Sequence, residues 1–343
     1  MSSNTFVKAQ KELINDAINE LVDSSVFLGV TIYGALFQGT NYGYSTGGTT
    51  LPGGPTPVPT NTIDRFPFVS EVGALDVGDM SAAGGGRAGQ SSSENGYASV
   101  SSIIDKFPFA AVTTNAVDVG GLSNGRGTAA GQSSATYGYT SGGFTPGIFY
   151  NTIDKFPFSF EGTATDVGDI TVKRYYAAGQ SSTTHGYISG GSSPGVNNTT
   201  TQTNSIEKFP FASDTSASSV GAIGPTQRAS VAGQSSATHG YTTAGYFQGG
   251  AFYYNTIDKF PFASDANASD VGDLTITHAY SGNPAGQSST TDGYNSGGNQ
   301  RVPPSVPVIS IAIIDKFPFT SDTNASNIGN LTVSRTAVSG QQF

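Results

Sequence analysis

The chain has 343 residues, of which 46 are glycine, 11% are charged and 11% are aromatic, and its formal net charge at pH 7 is −9. The acidic balance and the absence of any basic run argue against nucleic-acid binding, which needs clustered Lys and Arg against phosphates. The absence of cysteine excludes disulfides, zinc–thiolate sites and cysteine nucleophiles.

Residues 5–22 (TFVKAQKELINDAINELV) predict an amphipathic α-helix, because apolar side chains recur at i, i+3, i+4 and i+7. An isolated helix of this length is marginal in water, so its apolar stripe must pack against something to be stable. Three alternatives stay open: packing on its own chain, docking to a neighbouring subunit, or a disordered leader. We expect residues 1–40 to form an arm for assembly, with a contact stripe of Leu13, Ile14, Ala17, Ile18 and Leu21.

The apolar run at 26–37 (VFLGVTIYGALF) follows this helix. Its length is about half of the ~20 residues that a membrane-spanning helix needs. No basic segment precedes an apolar core at the N-terminus, which argues against a secretory signal peptide. We therefore expect no membrane span.

From residue 41 onward, four short sequence motifs, here called words, recur in the order GYxSGG, IDKFPF, DVGDLT and AGQSS. The words hold β-branched and aromatic residues bounded by Gly, Pro, Asn and Asp, and they lack a helical period, which predicts short strands joined by turns. The acid of the second word recurs six times, at intervals of 41 to 57 residues, as Asp64, Asp105, Asp154, Glu207, Asp258 and Asp315.

Four strands per unit and six units predict an all-β, six-bladed β-propeller of four-stranded blades over residues 41–343, preceded by the α-helical arm. A straight solenoid would need distinct terminal caps. Instead, residues 337–343 (AVSGQQF) resemble the fourth word without a following GYxSGG, whereas the first copy begins with GYxSGG at 43–48. The C-terminal segment is therefore predicted to close the ring as the innermost strand of the first blade.

The repeated residues predict how the blades are held together. The two Phe of each Phe-Pro-Phe should pack in the core or between blades. The acid before them should bond to backbone or to the recurring basic residue and so join neighbouring sheets. The basic residues of this pattern are Arg126, Arg174, Arg228 and Arg335.

Two candidate metal sites are considered. His185 and His239 occupy one repeat slot that other copies fill with Asn95, Tyr137 or Asp292, so repeat-derived surface positions explain these histidines better than a shared metal. The side chains of Asp265, Asn267, Asp270 and Asp273 have a spacing that could surround Ca²⁺, although turn formation also favours these residue types. We expect structural turns and leave Ca²⁺ binding open.

The double glycine after an aromatic strand, the Asp-bearing third strand and the basic residue before the next unit resemble kelch-type propeller repeats, here with Phe-Pro-Phe in place of the usual Trp. The phrasing IDKFPFASD…DVGDLT…AGQSS…HGYTSGG is similar to repeat proteins of marine tailed phages, especially cyanophages. That resemblance implies a virion structural or tail-fibre-associated protein, located in the phage particle and assembled in the host cytoplasm. Its partners would be other virion proteins through the arm, and a host-surface glycan or protein.

Enzyme activity has no positive support, since no Ser-His-Asp order, phosphate-binding glycine loop or HExxH motif is present. We therefore expect a non-enzymatic protein without a cofactor. The alternative is a galactose-oxidase-like or other carbohydrate-active or carbohydrate-binding propeller. The absence of Cys, Trp and a ligand-spaced His pair counts against a copper site of that kind.

The loops between the second and third strands vary most among the repeats, and they carry aromatic residues. Aromatic side chains on loops over a rigid scaffold are typical of recognition surfaces, although these rings could instead fold back over blade edges. The candidate recognition residues are Phe144, Phe149, Tyr150, Tyr246, Phe247, Phe252, Tyr253, Tyr254 and Arg301.

Overall fold

The computed structural model describes residues 38–342, except 52–55, 112, 160, 196–199, 248–251, 279–281 and 301–307. The predicted arm helix and its five apolar residues lie outside the described residues. Within them, six antiparallel sheets follow one another around a ring, and each contains a four-stranded blade. The prediction of a six-bladed propeller with four strands per blade is confirmed, and no helix occurs in the described part of the chain.

The four words of the repeat are the four strands of each blade, and they run outward from the ring axis. The innermost strands come from AGQSS: β6 (Ala88–Ser91), β10 (Ala130–Ser133), β16 (Ala178–Ser181), β22 (Ala232–Ser235), β27 (Ala285–Ser288) and β33 (Ser339–Gln342). The second strands come from GYxSGG: β1 (Tyr42–Thr46), β7 (Asn95–Val100), β11 (Tyr137–Ser141), β17 (His185–Ser189), β23 (His239–Thr243) and β28 (Asp292–Ser296).

The third strands contain IDKFP: β4 (Thr62–Pro67), β8 (Ile103–Pro108), β14 (Thr152–Pro157), β20 (Ser205–Pro210), β25 (Phe252–Pro261) and β31 (Ile313–Pro318). The outermost strands are β5 (Leu75–Asp79), β9 (Val117–Asp118), β15 (Thr165–Asp169), β21 (Ser218–Ala222), β26 (Ser269–His278) and β32 (Ser326–Asn330). Short hairpins extend five of the blades beyond the end of the second strand. Their strands are β2 (Thr49–Thr50), β3 (Val58–Pro59), β12 (Phe144–Thr145), β13 (Ile148–Phe149), β18 (Ser192–Pro194), β19 (Thr200–Gln202), β24 (Tyr246–Phe247), β29 (Asn299–Gln300) and β30 (Ile309–Ser310). In blade 5, the first residues of β25 pair with β24 and complete the hairpin.

The two ends of the chain meet in blade 1, whose sheet order is β33-β1-β4-β5. Strand β33 pairs antiparallel with β1, with Gly43 opposite Gln342 and Thr46 opposite Ser339. The predicted closure by the C-terminal segment is therefore confirmed. The ring has no broken blade, which protects the sheet edges that an open array would expose.

The glycine of each AGQS strand allows the six blades to approach the axis closely. A Cβ added to Gly179 would lie 2.1 Å from the carbonyl oxygen of Gly131 in the preceding blade, and the same contact recurs at all six positions. Next to each glycine, a buried glutamine amide donates to the backbone carbonyl of the Tyr in the following blade, for example Gln180 Nε2 to Tyr241 O at 2.9 Å. These backbone-level contacts explain why the word recurs with Gly and Gln.

Between neighbouring blades, each GYxS tyrosine packs against the two Phe of the next blade. Tyr97 of blade 2 stacks on Phe158 of blade 3 at 4.8 Å and lies 5.6 Å from Phe156, and the two Phe rings meet edge to face. The predicted role of the Phe pairs in packing between blades is confirmed. The other five tyrosines that repeat this arrangement around the ring are Tyr44, Tyr139, Tyr187, Tyr241 and Tyr294.

Candidate functional site

Antiparallel strand order places the loops of the ring on two opposite faces. We call "lower face" the side with the turns between first and second strands and the loops between third and fourth strands. We call "upper face" the side with the hairpins and the three-residue lead-in segments before each innermost strand. The lead-in segments are residues 85–87, 127–129, 175–177, 229–231, 282–284 and 336–338.

The repeated acids are buried and pair with arginines of the lead-in regions. Arg126 Nη1 lies 2.9 Å from Asp154 Oδ2, with both side chains fully buried, and the same Asp accepts bonds from the backbone and hydroxyl of Ser123 in the preceding blade. The predicted link between neighbouring sheets is confirmed. Sequence analysis missed Arg87, which pairs with Asp105 at 3.0 Å, because it stands one residue before its innermost strand, whereas the other arginines stand four residues before theirs. The other pairs are Arg174–Glu207, Arg228–Asp258 and Arg335–Asp64.

Blade 6 departs from this pattern, because the equivalent position is His278. Its imidazole is 3% exposed and packs against Gly298, and burial lowers its pKa to about 4. Asp315 of this blade is instead held by the backbone N–H and hydroxyl of Thr275, at 2.9 and 2.7 Å. Desolvation raises the pKa of Asp315 from its ordinary value. The sequence contains the signal for this exception, namely a histidine where four other copies carry arginine.

The other two histidines lie on the lower face of different blades. His185 and His239 each contact the preceding threonine hydroxyl through Nδ1, at 2.8 Å in both cases. The three histidines are thus on different structural elements, and within the described ranges no three His, Asp or Glu side chains gather as a metal site.

The residues considered for Ca²⁺ have individual contacts in the loops and outer strands of blade 5. Asp265 pairs with Lys208 of blade 4, Asn267 accepts from the backbone N–H of Ala222, and Asp270 caps the N–H of Gly272. The backbone N–H of Asp273 donates to Asn324 of blade 6. The DxNxxDxxD word therefore ties neighbouring blades together at the rim.

An axial cavity that is open to solvent is formed by the innermost strands and the lead-in segments. Its wall consists mainly of Gly, Ala, Ser and Gln. Among the described residues that line it, Arg87 is the one charged side chain at neutral pH, and it is engaged with Asp105.

The predicted recognition residues are divided between the surface and the interior of the upper face. Phe252 is 58% exposed, whereas Tyr246 is 4% exposed and belongs to the core. Tyr150 and Tyr254 lie beside the buried guanidinium groups of Arg126 and Arg228, with 5.7 and 5.5 Å from each ring centroid to the guanidinium carbon. Phe247 and Tyr253 are half-buried, and Arg301 lies outside the described residues.

One group of aromatic rings extends from the hairpin of blade 3 to the axial cavity. We call it the aromatic platform: Phe144, Phe149, Tyr175 and Tyr176, all half-buried. Phe144 stacks on Tyr175 at 5.0 Å, Phe149 lies 5.2 Å from Phe144, and Tyr176 lies 4.7 Å from Tyr175. Tyr176 also lines the cavity.

Sequence analysis identified Phe144 and Phe149 but missed Tyr175 and Tyr176, which lie in the lead-in segment of blade 4. The available signal was a break in the repeat. The other copies carry small or short side chains at this pair of positions, namely Gly85–Gly86, Gly127–Thr128, Ala229–Ser230, Gly282–Asn283 and Thr336–Ala337.

The first described residues of the chain lie at the axis on the lower face. Gln38 is 8% exposed, and its amide donates to the carbonyls of Ser235 and Ser289, which belong to two different blades, at 3.1 and 3.0 Å. The N–H of Gly39 donates to Ser288 O at 2.7 Å. Gln38 and Gly39 therefore contact the ring at the hub of the lower face.

Comparisons with known proteins concern the fold. No protein-family profile matches the chain, and no curated protein matches it significantly. Among solved structures, the propeller YjhT is similar, with a TM-score of 0.62 and 10% sequence identity over 74% of this chain and 86% of the YjhT chain. At this identity the likeness shows the fold alone. In the described part of the chain, no helical segment has the length and apolar character to cross a bilayer.

Proposed function

We propose that the chain is a non-enzymatic structural and binding component of a phage virion, assembled in the host cytoplasm. The arm at residues 1–40 attaches it to other virion proteins, and the upper face contacts a partner or a host surface. The observation that carries this proposal is that the first described residues and the variable hairpins lie on opposite faces of the ring. Gln38 and Gly39 enter at the hub of the lower face, whereas the variable hairpins and the aromatic platform lie on the upper face.

A ring of similar blades offers no distinct attachment surface, because the outer surface of each blade is much like the next. Attachment at the axis does not need one. A segment that leaves at the axis holds the ring without covering any blade. It also leaves the whole upper face directed away from the attachment point. The amphipathic sequence at 5–22 supplies an apolar stripe suited to a subunit contact.

The resemblance of the repeat sequence to kelch and phage repeat proteins supports the same proposal. The two glycines that follow the second strand have positive φ, as at Gly142 (67°) and Gly143 (114°), a backbone conformation that residues other than glycine rarely adopt. The carbonyl of Gly142 accepts the Nε–H of Arg126, so the double glycine and the basic residue form one device. The charged residues of the repeat are used in blade-to-blade contacts, which fits a scaffold role.

The proposal is tested by particle proteomics together with arm variants. The chain should sediment with purified particles of its source phage at a constant copy number. Full-length chain with Ile14→Asp and Ile18→Asp should fold, with an unchanged thermal midpoint, but should no longer enter particles. A matched control with Lys8→Glu and Lys11→Glu, on the polar side of the same segment, should still enter. Absence of the chain from particles, or normal incorporation of the Asp variant, would overturn the proposal.

A further inference from the structure

We infer that the aromatic platform is a binding subsite for neutral polysaccharide. The inference rests on the proposed function and names the ligand class of the upper face. Residues required for the ring recur in every blade, whereas the tyrosine pair Tyr175–Tyr176 occurs at one of six equivalent positions. The backbone does not require them, since Thr128 has the same φ of 55° as Tyr176 at the equivalent position of blade 3.

The four rings are held firmly although they stay partly accessible. The centroid of Tyr175 lies 5.0 Å from that of Phe144 and 5.5 Å from that of Phe149, so each ring is supported by others. The backbone of Tyr176 is fixed by a bond from its N–H to Thr128 O and another from Ser230 N–H to its own carbonyl, both 2.9 Å. Rings already held in place lose little conformational entropy when a ligand covers them.

The surroundings select the ligand chemistry. Aromatic faces carry negative electrostatic potential and attract weakly positive C–H groups, which a sugar ring presents on its apolar face. Its hydroxyls need neutral hydrogen-bonding groups beside the platform, and the axial cavity that Tyr176 lines supplies these from uncharged side chains such as Thr128 and Asn283. Arg126 is buried and paired with Asp154, so it is not available for an anionic ligand.

The platform also has the shape for a chain-like ligand. Phe144, Phe149 and Tyr175 contact one another, with centroids 5.0 to 5.5 Å apart, and Tyr176 extends this group to the edge of the axial cavity, 4.7 Å from Tyr175. A polymer can therefore contact several rings at once and gain affinity from repeated weak contacts.

The test is affinity electrophoresis of the full chain in gels containing dextran, galactomannan or xyloglucan, with titration calorimetry on the polymer that retards it most. The double substitution Tyr175→Gly and Tyr176→Thr installs the pair that the chain itself carries at Gly127–Thr128. It should weaken binding roughly tenfold or more, because two ring contacts are lost. Tyr137→Asn, which removes a half-buried ring of the lower face and installs the residue that the chain carries at Asn95, should bind like the parent chain.

Thermal midpoints establish that the variants are folded, and Phe149→Leu serves as a second test of the platform if the double variant is not. Failure of all three neutral polymers to retard the chain overturns the inference, as does equal binding by parent and double variant or equal loss in Tyr137→Asn. Binding to dextran sulfate alone would show recognition of anionic groups and overturn neutral recognition. Protection of Tyr175 by a virion protein in footprinting, without polysaccharide binding, would make the platform a protein interface. Absence from particles would overturn the proposed function but leave a positive gel result standing.

Discussion

Truncation of Phe156 to Ala tests the packing between blades most directly. The ring of Phe156 is 3% exposed, and it lies against Tyr97 of blade 2 and Phe158 of its own blade, with centroids 5.6 and 5.9 Å away. It also covers Gly138 on the neighbouring strand, where an added Cβ would come within 2.3 Å of the ring. The substitution therefore leaves a void that a glycine cannot fill from its side of the sheet.

Removal of a buried Phe side chain costs about 3–5 kcal/mol of unfolding free energy, and the poor prospect of collapse around Gly138 favours the upper part of that range. A cooperative unit of roughly 300 residues has an unfolding entropy of about 0.6 kcal/mol/K, so the melting temperature should fall by about 5–8 °C. Circular dichroism melts and urea midpoints measure the change. Phe252→Ala is the matched control, because its ring is 58% exposed and its loss should be nearly neutral. An unchanged melting temperature for Phe156→Ala would refute the packing argument.

Three further perturbations follow from the ring. Gly179→Ala should destabilise the folded chain by about 1–3 kcal/mol or more, because the added Cβ would lie 2.1 Å from the carbonyl oxygen of Gly131. Gly125→Ala is the control and should not destabilise it, because no atom lies closer than 3.5 Å to the added Cβ. Equal urea midpoints for the two variants would contradict this. Arg174→Met should lower the unfolding free energy by about 3–5 kcal/mol, because buried Glu207 loses its cation. Adding Glu207→Gln should restore much of this loss. A double variant as unstable as Arg174→Met would show that the unpaired charge is not the cause. Burial lowers the pKa of His278 from 6.5 to about 4, so the unfolded chain takes up the proton first as pH falls. Stability should then be lost between pH 6.5 and about 4, by up to about 3 kcal/mol. His278→Gln should lack this part of the loss when urea midpoints at pH 7 and 4.5 are compared, and identical pH dependence would rule out the histidine as its source.

The sequence alone determined the strand order, the number of blades, the closure by the C-terminal strand and the role of the Phe pairs. It could do so because repetition reports one environment six times: a residue type that recurs at one place in every unit must satisfy the same contact in each. The link between Asp154 and Arg126 could be predicted for this reason. The aromatic loops could also be identified as the variable part, although the sequence left open which rings are buried.

Tertiary structure decided what repetition does not describe. Tyr175 lies 31 residues from Phe144 along the chain, and the two rings meet because the lead-in segment of blade 4 passes beside the hairpin of blade 3. Gln38 reaches Ser235 and Ser289 because all the innermost strands converge at one axis, a convergence that no local pattern encodes. Tyr246 is buried while Phe252 is exposed, although both belong to one hairpin, because a strand directs neighbouring positions to different surroundings. Local chemistry thus determined the blade, and the contacts between blades decided where the candidate site lies.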